Sequence, residues 1–211
     1  MSLNKIKYKL HIIFYIMIIV ICSDCVNIKS KYLPPSIYTF KGLPLNTSIT
    51  SKADKNIFIK QFEVAGELQT TKIAVYDDIK LQYYNYHQWA LQLDELLTEY
   101  AVKRISNYSV FSKGIVSIFG TIPDYILEFN VNNFRINKSD KENSVEVSVL
   151  VNLHKYSSEI KDYKVFFSNT YTMNEQLVRF SLEEAITNLE AIICKIIDDA
   201  LIDIIKFDIS N

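Results

Sequence analysis

The sequence predicts an α+β fold, a largely antiparallel sheet with two amphipathic helices packed on one face. Three observations predict it. Val145, Val147, Val149, Val151 and Leu153 alternate with Glu146, Ser148, Asn152 and His154, the two-residue period of a strand with one buried face. Leu93, Leu96, Leu97, Tyr100, Ala101 and Ile105 recur at helical spacing, one apolar stripe. A longer stripe of the same kind runs through Leu182, Ile186, Leu189, Ile193, Ile197 and Ile204. Two one-sided helices and one-sided strands are most simply joined by laying both helices on one sheet face.

The chain opens with Lys5, Lys7 and Lys9, followed by an apolar run over residues 10–21 broken only by His11. A membrane-spanning helix needs about 20 apolar residues, so this run reads instead as the core of a secretory signal peptide, with the signal ending by residue 25. Cys22-Ser23-Asp24-Cys25 follows directly. A redox pair would need a helix inside a thioredoxin-like unit, and a metal site would need a second ligand pair. Lipid attachment at Cys22, with Cys25 as the alternative, is the favoured reading, and plain cleavage after Ser23 competes with it. Residues 26–37 form a polar tether and residues 38–211 a single domain.

Within that domain, Tyr38 and Phe40 begin an extended piece. Residues 56–64 are apolar on both sides, like one central strand. Residues 73–76 and 79–89 flank Asp77-Asp78 as a hairpin. In its second arm Leu81, Tyr83, Asn85, His87 and Trp89 share one face, and Gln82, Tyr84, Tyr86 and Gln88 the other. Asp94 is placed to cap the helix that follows. Tyr125, Leu127, Phe129 and Val131 make a strand whose parity changes at Asn132-Asn133, the mark of a bulge. Tyr163, Val165, Phe167, Tyr171 and Met173 supply a further inward-facing set. Ser181 caps the last helix, with Glu184 three residues on. Glu183, Asn188, Glu190, Lys195 and Asp199 lie on its polar side. Asp198 and Asp203 read as solvated too. Cys194 reads as a core residue.

Composition limits function. The chain is 49% hydrophobic and 22% charged, ordinary for a globular domain, and its net charge of -1 offers no field for nucleic acid. Only four glycines occur, and no phosphate-cradling glycine pattern is present. There is no G-x-S-x-G, H-E-x-x-H or paired-carboxylate signature, so no catalytic, cofactor or metal residues are assigned. His87 stands in an aromatic strand with no nucleophile or carboxylate at motif spacing, and reads as packed there. Tyr83, Tyr84 and Tyr86 divide evenly between sheet packing and a partner-contact surface.

The element Tyr83-Tyr84-x-Tyr86-His87-Gln88-Trp89-Ala90 leads into a helix. Asp124-Tyr125-Ile126-Leu127-Glu128, Phe134, a Val-alternating strand and a terminal helix follow in order. This arrangement resembles the ABC-type transport auxiliary lipoprotein family, the paraquat-inducible lipoprotein group that accompanies MCE-type lipid transporters. The resemblance covers about residues 38–207. It implies a non-enzymatic periplasmic lipoprotein, lipid-anchored at the outer membrane. Its partners would be an MCE-type substrate-binding protein and an ABC permease/ATPase complex, and its cargo phospholipid or other apolar molecules. Self-association is left open. A free periplasmic module binding an apolar ligand, and a secreted enzyme of unknown chemistry, are the alternatives.

Overall fold

The computed structural model describes residues 33–45, 49, 52–139 and 143–210. The expected signal segment and the candidate anchors Cys22 and Cys25 lie outside them. The described residues from Pro35 onward pack as one compact unit.

The long strands β6 (Tyr125–Lys138), β7 (Asn143–Ser157) and β8 (Asp162–Gln176) form an antiparallel meander. A hairpin of β4 (Lys72–Asp77) and β5 (Lys80–Trp89) turns at Asp78, whose φ of 56° is a conformation Asp tolerates in tight turns. Three short strands pair in parallel with longer ones: β1 (Ser36–Tyr38) with β5, and β2 (Ile57–Ile59) and β3 (Glu63–Val64) with β6. The sheet order is β1-β5-β4-β6-β7-β8, with β2 and β3 beside β6.

Helix α1 (Leu93–Tyr108) and helix α2 (Leu182–Ser210) cover one face. Tyr125, Leu127, Phe129 and Val131 of β6, the valines of β7 and both helix stripes belong to one buried cluster. Val145, Val147, Val149 and Val151 are fully buried, as the alternation requires. The bulge expected at Asn132-Asn133 is there, as a register shift between Val131 and Asn133. It carries Phe134 and Ile136 back onto the core side. Ser181 does cap α2: its Oγ accepts the Glu184 N–H at 3.3 Å.

Five local expectations are corrected. Residues 56–64 are two short strands rather than one. Lys60 and Gln61 interrupt them, and the Phe62 N–H turns away from β6 to donate to Thr98 Oγ1 at 2.9 Å. Phe62 then stacks on Phe129, with centroids 4.5 Å apart. Asp94 lies inside α1 rather than at its cap, where Gln92 stands without a side-chain bond. The Asp94 carboxylate still sits in the first turn, where it faces the positive helix end. The strict two-residue alternation of β5 fails, because the register jumps between Lys72↔Gln88 and Ala74↔Tyr83 and leaves extra residues bulged on β5. Val165 is 60% exposed, because the β7–β8 register slips between Leu153 and His154 and brings both Phe166 and Phe167 onto Phe207. Glu190 and Asp198 are buried, at 3% and 5% exposure, on the apolar side of α2.

Candidate functional site

The aromatic strand ends in a joint. Trp89 closes β5 and is buried between Phe40 and Phe134, both edge-on to its ring system. Its N–H donates to the Thr71 carbonyl at 2.7 Å, and the next N–H, of Ala90, donates to the Tyr38 carbonyl at 2.8 Å. β1 therefore clamps the last three residues of β5 just before α1 begins.

Beyond that clamp β5 is an open edge. Pro34 and Pro35 precede β1 and have no N–H to give a ladder. Pairing with β1 stops at Ser36↔His87, so among the described residues the outer side of Lys80 to Tyr86 carries no strand. Tyr86 is 55% exposed, and among the described residues its side chain has no partner. Tyr83 is also exposed, but its hydroxyl donates to the Glu67 carbonyl at 2.8 Å, and Lys72 lies over its ring. Tyr84 is half-buried against the core and edge-on to His87. Burial pushes the Tyr84 phenol up. The three tyrosines thus divide: Tyr83 and Tyr86 face outward, and Tyr84 supports them from behind.

His87 is not isolated. Its Nδ1 lies 3.0 Å from the Tyr38 hydroxyl, which donates to Glu183 Oε1 at 3.0 Å. Glu183 stands in the first turn of α2. Its own backbone N–H and the Tyr38 hydroxyl hold its carboxyl below the usual carboxylate range. This chain of contacts ties β1, β5 and α2 together. Its members are 49 and 145 residues apart, which is why spacing did not reveal it.

A second polar cluster is buried between the helices. Arg104 Nε and Nη2 donate to the two Asp198 oxygens at 2.7 and 2.6 Å. Arg104 Nη1 donates to the Leu43 carbonyl at 2.9 Å. The Tyr100 hydroxyl accepts the Leu43 N–H at 3.3 Å, donates to Glu190 Oε1 at 3.2 Å and lies 2.7 Å from Cys194 Sγ. Glu190 Oε1 also accepts the Gly42 N–H at 2.7 Å. Gly42 has φ +85°, where a side chain would be strained. The strap over residues 41–45 is thus fastened across both helices by side chains from each. Burial pushes the Cys194 thiol and the Tyr100 phenol up, and pushes Tyr108, packed beside Arg104, up to about 12. Cys194 is a buried thiol with no activating cation free to lower it, as the core reading expects. One signal for this cluster was legible: Arg104 continues the stripe of α1, and Glu190 and Asp198 continue that of α2, with opposite charge.

On the uncovered sheet face, Glu128 accepts from Lys60 Nζ, lies 3.1 Å from His154 Nε2, and accepts from Asn152 Nδ2 at 3.3 Å. The Lys60 ammonium holds the Glu128 carboxyl down at about 2. Every one of these groups is satisfied by another, the pattern of a structural network. Among the described residues no group of three or more His, Cys, Asp or Glu is placed to hold a metal, and no helix is long and apolar enough to cross a membrane.

A family model described as ABC-type transport auxiliary lipoprotein component matches residues 38–189. The chain belongs to this family. The match runs from Tyr38, the last residue of β1, into α2, and so takes in every other strand of the sheet and the Tyr38↔Trp89 pair. The ABC-type transport auxiliary lipoproteins are transport components rather than an enzyme family. A crystal structure of a Xanthomonas campestris protein of the family DUF330 is similar in fold. It has 14% identity and a TM-score of 0.71, over 83% of this chain and 97% of that one. A crystal structure of an uncharacterized protein is similar at 14% identity and a TM-score of 0.61, over 82% and 99%. No curated protein matches the chain.

Proposed function

We propose that this auxiliary lipoprotein is a non-enzymatic, periplasmic subunit of an MCE-type ABC system that moves phospholipid or other apolar molecules across the envelope. The observation that carries the reading is the family match across the folded unit. The site chemistry agrees with it: the buried polar groups are spent on fastening elements together, and the exposed tyrosines suit a contact surface. Cys22, or else Cys25, carries the lipid, and the outer membrane is the anchoring site. The partner contacts are the outward rings of Tyr83 and Tyr86, with Tyr84 holding the strand in place. The partners are an MCE-type substrate-binding protein and the ABC permease/ATPase complex, and no nucleic acid is involved.

Envelope fractionation with mass analysis of the N-terminal peptide tests the anchor. The expected result is an acylated N-terminal cysteine and a protein that leaves the outer-membrane fraction when Cys22 and Cys25 are both changed to Ser. An unmodified mature N-terminus, with the protein free in the periplasm, would contradict it.

A further inference from the structure

Residues 117–122 form a loop of Ser, Ile, Phe, Gly, Thr and Ile, every one of them exposed. Ile118 is 52% exposed, Phe119 89% and Ile122 65%. From Ile115 to Pro123 no residue is charged. The base of this loop is held on both sides. The Val116 N–H donates to the Ile57 carbonyl at 2.8 Å, the Asp124 N–H to Asn56 Oδ1 at 2.6 Å, and the Tyr163 hydroxyl to the Pro123 carbonyl at 2.8 Å. Pro123 itself is buried. The last bond sets the loop beside the β7–β8 turn, where Ile160 is 49% exposed. Large apolar side chains at the tip of a firmly based loop mark a contact site, since a loop tip facing only water is ordinarily polar.

The shape says what kind. The apolar residues stand on a projection, with Gly120 at φ +91° allowing the tight apex. A projection of this sort enters a fluid apolar medium without needing a complementary surface. The chain length outside the structure says where. Counting four residues back along β4 and β6 from the Tyr76↔Asn137 pair sets Lys72, and with it the β1–β5 clamp, level with Asn133. Tyr125, at the base of the loop, is eight residues further down β6, roughly 27 Å at strand rise. The ten residues from Val26 to Pro35 reach at most about 35 Å when extended. A tether starting at a lipid-bearing Cys25 or Cys22 therefore allows the loop to touch the same bilayer.

We propose that loop 117–122, with Ile160 beside it, is a second membrane contact. Its apolar tip enters the interfacial layer of the bilayer to which the N-terminus is anchored, and so fixes the orientation of the domain on that surface. The inference rests on the anchoring proposed above, and the experiment separates the two.

The processed full chain is reconstituted in phosphatidylcholine vesicles containing a phospholipid with a diazirine in its acyl chain. It is then irradiated, and the labelled residues are mapped by mass spectrometry. Label at Ile118, Phe119 and Ile122 is expected. It should fall roughly tenfold or more in Phe119→Asp, the factor for keeping one large apolar side chain out of an apolar medium, while label on the N-terminal segment is unchanged. Circular dichroism checks that the variant is folded. Label confined to the N-terminal segment ahead of Leu33, or loop residues that crosslink in native membranes to a protein subunit and never to lipid, overturns the proposal. Loop label that persists on a chain whose cysteines carry no acyl group removes the anchor and keeps the membrane contact. An acylated chain with an unlabelled loop does the reverse.

Discussion

The Arg104 guanidinium of α1 and the Asp198 carboxylate of α2 face each other fork to fork, both less than a tenth exposed, with the third arm of the guanidinium on the Leu43 carbonyl. Two helices that sequence periodicity marks as simply apolar on their inner sides are thus locked at a defined register by one charged pair. Removing one partner leaves the other charge buried and alone. Asp198→Ala is expected to lower stability by about 3–5 kcal/mol, and the double change Arg104→Leu/Asp198→Leu to cost clearly less than the single one. Urea denaturation of the three proteins measures both.

Glu190 fastens the strap. In Glu190→Ala the part-buried Gly42 N–H loses its acceptor, at an expected cost of about 0.5–1.5 kcal/mol. Because the loss is local, hydrogen exchange at Gly42 and Leu43 should speed up far more than at the β7 amides. Equal acceleration everywhere would show that the strap and the sheet open as one unit.

Glu128 sets an acid limit. Its folded carboxyl is held at about 2 by Lys60, below the usual 4.5, so its contribution is full above pH 4.5 and is lost as pH falls toward 2. With Lys60 partly exposed to solvent, the contribution is about 2 kcal/mol. Glu128→Gln should therefore show a smaller loss of stability between pH 5 and pH 2 than the unchanged protein. The urea midpoint as a function of pH checks this.

The tyrosines of β5 separate contact from packing. Tyr86→Ser, at an exposed and unpartnered ring, should change stability by less than about 0.5 kcal/mol. Trp89→Ala, in the core, should cost about 3–5 kcal/mol. If Tyr86 belongs to a partner surface, Tyr86→Ser lowers recovery of partner subunits at unchanged stability, and recovery equal to that of the unchanged protein would remove it from that surface.

The architecture was legible where one interaction decides it. The β7 alternation, the bulge at Asn132-Asn133, the Ser181 cap and the hairpin at Asp77-Asp78 are all local, and each reads directly from residue spacing. What spacing could not show was set by distant partners. Residues 56–64 split because Thr98, on a helix, takes the Phe62 N–H. The β5 alternation broke because β4 is too short to match it residue for residue. Glu190 and Asp198 looked solvated because a carboxylate on a helix usually is, and here donors on α1 and on the strap receive them. The Tyr38–His87–Glu183 contact needed three elements brought together before it existed at all. The loop at Phe119 has no residue period to read, and its significance lies in its exposure.

As proposed above, this auxiliary lipoprotein works as a subunit of an ABC lipid-transport assembly. A detergent-solubilised pull-down of the full chain from native cells, with the recovered proteins identified by mass spectrometry, tests it most directly. The expected result is co-purification of an MCE-type substrate-binding protein together with ABC permease or ATPase subunits. Recovery of the acylated protein with none of these subunits, under conditions that keep other envelope complexes intact, would contradict it.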